Sequence, residues 1–126
     1  MRFHHVGISV TDLDASIRFY TEHFGCALER RFTKDDWNGE AAILRCGDVR
    51  LELFWFRDSK AARDDQADLK VAGIKHLAFA VDDVRKAYEE LKAKGVDIDP
   101  PRKGTTCTAF AFLHDPSGNS IELYQA

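Results

Sequence analysis

Residues 118–124 read GNSIELY, and this short segment has a close counterpart earlier in the chain. It predicts a turn followed by a strand that carries one carboxylate, Glu122. Residues 47–54, GDVRLELF, repeat the pattern with Glu52 in the corresponding place. The strand that ends the chain is therefore matched by a strand near its middle.

Each of these strands also has a matching partner at the start of its half of the protein. Residues 3–13, FHHVGISVTDL, carry His5, and residues 74–84, IKHLAFAVDDV, carry His76. The two histidines are 71 residues apart and the two glutamates are 70 apart. This agreement predicts an internal repeat. Its two modules are residues 1–56 and 73–126, and they form a single domain that spans residues 1–126.

The composition is typical of a globular protein without a strong charge. A chain of 126 residues suits one compact domain. The formal charge of −3 gives no reason to expect nucleic acid or an anionic membrane as a partner. No apolar run approaches the roughly 20 residues that span a bilayer, and the N-terminus does not resemble a signal peptide. We therefore expect a cytoplasmic protein.

The three cysteines show no CxxC spacing; they are Cys26, Cys46 and Cys107. In a cytoplasmic protein this set predicts three reduced, mostly buried thiols. A catalytic thiolate is the alternative, but no neighbour in the sequence marks any of the three as activated.

The first half of the chain predicts one helix and several strands. Asp12 is suited to cap the helix and Gly25 to end it. Apolar and β-branched residues predict strands over 3–10, 27–34, 40–46 and 49–56. A turn over 34–39, KDDWNG, joins the second and third strands.

The second half predicts the same order of elements. Asp82 or Asp83 caps its helix, and Gly95 ends it. Strands are predicted over 74–81, 96–99, 105–113 and 119–125. The charged connection 57–72 is interpreted as a solvated linker or short surface helix, with a lid over the substrate as the less favoured alternative. The predicted fold class is therefore α+β, with the order βαβββ occurring twice.

Two histidines and two glutamates at matching places suggest a metal site. Side chains alternate along a strand, so His4 and His5 are expected to point to opposite faces, with His5 on the inner one. The two glutamates each lie between apolar residues, which we take to indicate strands covered on both faces. A carboxylate there is costly unless it is paired or bound to a cation.

These four residues form a borderline-to-hard ligand set. With water it would suit an octahedral divalent ion: Ni, Co, Zn, Mn or Fe. A lone histidine on a strand is more often structural, and a lone glutamate is more often a surface charge, so the joint occurrence in both repeats carries the prediction. His23 and His114 have no such counterpart and are assigned surface and structural roles.

Four segments together resemble the vicinal oxygen chelate superfamily, which includes glyoxalase I, methylmalonyl-CoA epimerase, fosfomycin-resistance proteins and extradiol dioxygenases. They are HHVGISVTDLDASIRFYTEHFG (4–25), LELF (51–54), KHLAFAVDDV (75–84) and FLHDPSGNSIELY (112–124). The resemblance implies two βαβββ modules whose curved mixed sheets surround a metal cavity. It also implies a homodimer, in which sites are often completed across the interface.

The resemblance further implies a branch and a reaction. Glu52 as a fourth ligand, beside His5, His76 and Glu122, is similar to glyoxalase I, whereas dioxygenases and fosfomycin transferases typically use two His and one Glu. A glyoxalase I-like lyase or isomerase would chelate the adjacent oxygens of its substrate. Glu122 or Glu52 would then remove a proton next to a carbonyl, giving a metal-stabilised enediolate.

Three alternatives stay open at this point. They are an iron-dependent extradiol dioxygenase, a metal-dependent thiol transferase and a non-catalytic bleomycin-resistance-type binding protein. The resemblance also contains a departure: bacterial glyoxalase I often has Arg and Asn in contact with glutathione where this chain has Ser9 and Phe56. Arg102 and Lys103 are the cations that we consider for binding a substrate carboxylate instead.

Overall fold

The computed structural model describes the chain except for residues 35 and 37 and the side chain of Lys34. Its contacts divide the chain into two compact units, Met1–Ala61 and Ala62–Ala126. In the described residues, each unit contains a four-stranded mixed sheet and an α-helix. None of the helices found there combines the length and apolar character that a membrane span requires.

The first unit contains β1 (His5–Ser9), α1 (Leu13–Phe24), β2 (Ala27–Lys34), β3 (Gly39–Cys46) and β4 (Val49–Phe56). Its sheet has the strand order β1-β4-β3-β2. The outer strand β1 is parallel to β4, while the other pairs are antiparallel. The predicted turn over 34–39 lies partly outside the described residues; Asp36 and Asn38 are in turn conformation.

The helix α1 has the ends that its sequence predicts. The Asp12 carboxylate accepts a hydrogen bond from the backbone N–H of Ala15 at 3.0 Å, as an N-cap does. Gly25 has a φ of 65°, which allows the chain to leave the helix in a left-handed conformation. Helix α1 packs on β3 and β4, which contribute the fully buried Leu44 and Leu53 to the core of this unit.

The second unit repeats this arrangement. A short 3₁₀ helix (Asp64–Ala67) precedes β5 (Leu77–Ala80), α2 (Val84–Ala93), β6 (Arg102–Lys103), β7 (Ala109–His114) and β8 (Ser120–Gln125). The strand order is β5-β8-β7-β6, and β5 is parallel to β8. The α+β class and the duplicated βαβββ order are therefore confirmed.

One predicted strand is wrong. Residues 96–99 do not form a strand; Ile98 makes only an isolated bridge to Leu113. The edge of the sheet next to β7 is instead occupied by β6, two residues for which no strand was predicted. Pro100 and Pro101 explain the interruption, because proline lacks the N–H that a sheet ladder requires, so pairing continues as a strand only after them.

The prediction of three reduced thiols is also wrong, because Cys26 and Cys46 form a disulfide. In the antiparallel register Ala27 lies opposite Arg45, so the residue before β2 faces the last residue of β3. Their Cα atoms are 4.4 Å apart. Cys107 is a free thiol. The bond ties the segment after α1 to the far end of β3.

Reducing this disulfide is expected to lower the free energy of unfolding by about 2–4 kcal/mol, because the open loop regains entropy in the unfolded chain. The measurement is urea unfolding of the same protein with and without a phosphine reductant. The Cys107→Ser variant is the control and is expected to show the same difference. Equal midpoints in both buffers, or three reactive thiols in the unreduced, unfolded protein, would contradict the assignment.

Candidate functional site

The four predicted metal ligands form two histidine–glutamate pairs, one in each unit. His5 Nε2 lies 3.3 Å from Glu52 Oε2 in the first unit. His76 Nε2 lies 3.0 Å from Glu122 Oε2 in the second. His5 is the first residue of β1, whereas His76 lies immediately before β5. In each unit the structure thus brings together the histidine and the glutamate that the repeat predicts.

Strand register explains how these pairs form. In the parallel pairing, Glu52 lies beside Gly7 and Glu122 lies beside Ala78. Each histidine precedes that neighbour by two residues, so it shares a sheet face with the glutamate. Both neighbours are small, which leaves the carboxylates uncovered by the adjacent strand. A side chain at Gly7 would also come within 3.1 Å of the Phe54 ring.

The glutamates lie on half-exposed faces, which corrects the expectation of strands covered on both sides. Leu51 and Leu53 are buried on either side of Glu52, whose side chain is 23% exposed. The second unit repeats this: its glutamate lies between buried Ile121 and Leu123, with 16% of the side chain exposed. The alternation is therefore of the ordinary in–out kind, and solvent reaches both carboxylates.

His4 does not point away from His5 as the alternation rule predicts. Its Nδ1 lies 2.9 Å from Nδ1 of His5, and the two rings meet edge to face. The rule does not apply here because His4 precedes β1, so its backbone need not have strand geometry. Of two neutral rings in this contact, one must donate through Nδ1–H. If His5 is the donor, its Nε2 keeps a lone pair on the side of Glu52.

A second charged group near the first pair is neutralised by another residue. Arg50 is paired in register with His5 and shares the face of Glu52. Its guanidinium donates two hydrogen bonds to Glu29, at 2.8 and 3.2 Å. These hydrogen bonds, donated by Arg50 and accepted by Glu29, lower the pKa of Glu29 and raise the pKa of Arg50. Arg50 is thus held by Glu29, and the contact of Glu52 is with His5.

The histidine of the second pair borders a cavity of about 400 Å³ that is lined by residues of its own unit. His76 lines this cavity, and its ring meets Phe112 edge to face with centroids 5.3 Å apart. His114, which the sequence analysis assigned a structural role, lines the same cavity. Phe110, Phe112 and His114 alternate along β7, so their period of two was the signal that could have placed this histidine.

The turn before β8 is held by a buried carboxylate. Asp115 is 4% exposed. It accepts hydrogen bonds from the backbone N–H groups of Ser117 and Asn119 and from the Asn119 side-chain amide, at 2.8–2.9 Å. This network fixes where β8 begins and thereby supports the position of Glu122.

Each unit alone supplies one imidazole nitrogen and one carboxylate. In neither unit do the described residues include a group of three His, Cys, Asp or Glu side chains placed to hold a metal ion. The chemistry of the donors nevertheless fits a divalent ion, since neutral imidazole and carboxylate are ligands that borderline and hard cations accept. His23, which the sequence analysis assigned to the surface, is partly buried. Its Nδ1 has no hydrogen-bond partner among the described residues.

Comparisons with known proteins agree on one family. Residues 2–123 match the model of the Glyoxalase/Bleomycin resistance protein/Dioxygenase superfamily. The chain is 35% identical over 133 residues to a probable lactoylglutathione lyase of Vibrio cholerae, covering 98% of this chain and 90% of the relative. It is 32% identical over 126 residues to the uncharacterized protein YaeR of Escherichia coli, covering 97% and 94%. The solved structure of the trypanothione-dependent glyoxalase I of Leishmania major has a TM-score of 0.79 at 29% identity, covering 99% and 86%.

Replacing Asp115 with alanine is expected to lower the free energy of unfolding by about 1–3 kcal/mol, because buried donors lose their acceptor. The measurement is urea unfolding followed by circular dichroism. Asp48→Ala, in the exposed turn between β3 and β4, is the matched control and is expected to change stability by less than about 0.5 kcal/mol. Equal effects of the two variants would contradict the role given to Asp115.

Proposed function

Because this chain belongs to the Glyoxalase/Bleomycin resistance protein/Dioxygenase superfamily, we propose that it is a divalent-metal-dependent lyase of the glyoxalase I type. Its substrate in this proposal is a small molecule with adjacent oxygens. The observation that carries the proposal is the pair of histidine–glutamate contacts at repeat-equivalent places. Similarity to a probable lactoylglutathione lyase and to a glyoxalase I supports the reaction class.

The proposed ligands are His5, Glu52, His76 and Glu122. Their donor atoms, two imidazole Nε2 atoms and two carboxylates, already face one another in pairs within each unit. Two carboxylates balance the formal charge of a divalent ion of the Ni, Co, Zn, Mn or Fe group. When bound, such an ion supplies Lewis acidity toward the oxygens of the substrate.

The carboxylates also supply the base in this proposal. Glu122 is favoured over Glu52 because its side chain is less exposed and because its partner His76 lines a cavity. A carboxylate in this position can take a proton from a carbon next to a carbonyl and return it to the neighbouring carbon. The small Ala78 beside Glu122 leaves the space that an approaching substrate needs.

The substrate is proposed to be an adduct of a thiol other than glutathione. Ser9 lies on the same face of β1 as His5, and Phe56 ends β4, at the two places where the family resemblance implies glutathione contacts. Neither side chain can supply the guanidinium or amide expected there. The protein is further proposed to be a homodimer, a state that sedimentation analysis can measure directly.

Metal binding is the first test of this function. Protein purified without chelators is expected to contain a divalent ion, or to take one up from Ni, Co, Zn or Mn, as measured by plasma mass spectrometry. Glu122→Gln is expected to weaken binding by at least about 100-fold, since second-shell changes alone cost roughly 10–100-fold. Glu90→Gln, on the exposed face of α2, is the control. Failure of every ion to bind would contradict the proposal.

Turnover is the second test. Hemithioacetals formed from methylglyoxal and several thiols are expected to be isomerised, with loss of about 10²–10⁴-fold in kcat for Glu122→Gln. Ultraviolet absorbance of the thioester product follows the reaction. The Glu52→Gln variant distinguishes a four-ligand, glyoxalase-like site from a three-ligand site. The glyoxalase-like site is expected to lose both metal and activity. A dioxygenase or transferase site, which needs only three ligands, is expected to keep its metal.

A further inference from the structure

The cavity of the second unit combines an apolar wall with two cations. Phe112 and Leu69 contribute apolar surface, while Lys75 and Arg102 contribute positive charge. Lys75 directly precedes His76 at one edge of the sheet, and Arg102 lies on β6 at the opposite edge. The cavity therefore extends across this face of the sheet, beyond the His76–Glu122 pair.

Neither cation is paired with an acidic side chain in the part of the chain that the structure describes. Among the described residues, Lys75 and Arg102 take part in no ion pair, and Asp99 is the sole acidic residue in the cavity lining. The first unit differs in this respect. The strand in the corresponding position of its sheet, β2, carries Arg31, whose guanidinium is bound by Asp14 and Glu40. The excess of positive charge in the second unit is thus a departure from the repeat.

Arg102 is also restrained, which distinguishes it from an ordinary surface cation. It is paired in register with Phe110, and its Cζ lies 5.2 Å from the centroid of that ring. A cation–π contact of this kind leaves the N–H groups at the rim of the guanidinium able to donate. Lys103 is the other cation considered from the sequence, and it does not line this cavity. It borders a separate depression of the same unit, and Arg102 borders that depression as well.

Building on the function proposed above, we propose that this cavity binds a carboxylate of the substrate through Arg102 and Lys75. The planar guanidinium matches a carboxylate with two parallel hydrogen bonds, and the Lys75 ammonium adds a second charge. Phe112 and Leu69 then contact the aliphatic part of the substrate. The substrate class is therefore a small carbonyl adduct that carries a carboxylate, held with its reacting carbon toward His76, which lines the cavity.

The test compares two hemithioacetals of methylglyoxal, one made with 3-mercaptopropanoate and one with the uncharged 3-mercaptopropanamide. Wild-type protein is expected to show a kcat/KM at least about 10-fold higher for the carboxylate adduct, as a charge-assisted hydrogen bond implies. Arg102→Gln is expected to remove this preference, because kcat/KM falls by at least about 10-fold more for the carboxylate adduct than for the amide adduct. Lys103→Gln is the matched control and is expected to keep it.

Binding without turnover separates this proposal from the enzymatic one. The inert thioethers 3-(methylthio)propanoate and 3-(methylthio)propanamide are titrated into the full-length protein, and binding is followed by nuclear magnetic resonance. Tighter binding of the carboxylate that is lost in Arg102→Gln supports the carboxylate site even if neither adduct is turned over. Equal binding of both compounds, or equal binding by wild type and Arg102→Gln, overturns it and leaves the metal-dependent function standing.

Discussion

The parallel pairing of the first and last strand of each unit is the constraint on which the candidate site depends. Parallel neighbours cannot be joined by a tight turn, so a helix and two further strands separate β1 from β4 and β5 from β8. Residues far apart in the chain thereby come together in a fixed register. A slip of one residue would move each glutamate to the side of the buried leucines and would separate it from its histidine.

The two units share this backbone register but surround their pairs differently. Near His5, the neighbouring charges are matched inside the protein, as the Arg50–Glu29 contact illustrates. Near His76, an aromatic edge and two cations without ion-pair partners among the described residues border a cavity. Duplication therefore preserved the part of the sequence that sets strand pairing, while the side chains around it diverged. Under the proposed function, substrate selection falls mainly to the second unit.

The sequence predicted most of the local structure and less of what depends on pairing between strands. Helix ends at Asp12 and Gly25 follow from the conformational preferences of single residues, so they were read correctly. The disulfide was missed because Cys26 and Cys46 meet only through the register of β2 and β3, which neighbouring residues do not encode. Strand β6 was missed because two residues after a pair of prolines show no periodicity.

The candidate site, too, was predicted only in part. The repeat predicted which histidine meets which glutamate, because equivalent strands pair equivalently. It could not place His114, since a comparison of repeats detects only what both halves contain. The assignment of His5, Glu52, His76 and Glu122 as metal ligands stays a prediction, because the donors of one unit make a pair and not a full coordination shell.

Stability alone is a poor explanation for the two pairs. A partly exposed histidine–glutamate contact contributes only about 0–1 kcal/mol, whereas an apolar side chain covering the same surface would contribute roughly 25 cal/mol for each Å² that it buries. Gly7 and Ala78 add nothing to that burial, yet they lie beside the carboxylates in both units. Packing therefore does not account for the one weak, partly exposed contact that each unit keeps. Under the proposed function, the binding of a metal ion is the reason for these residues.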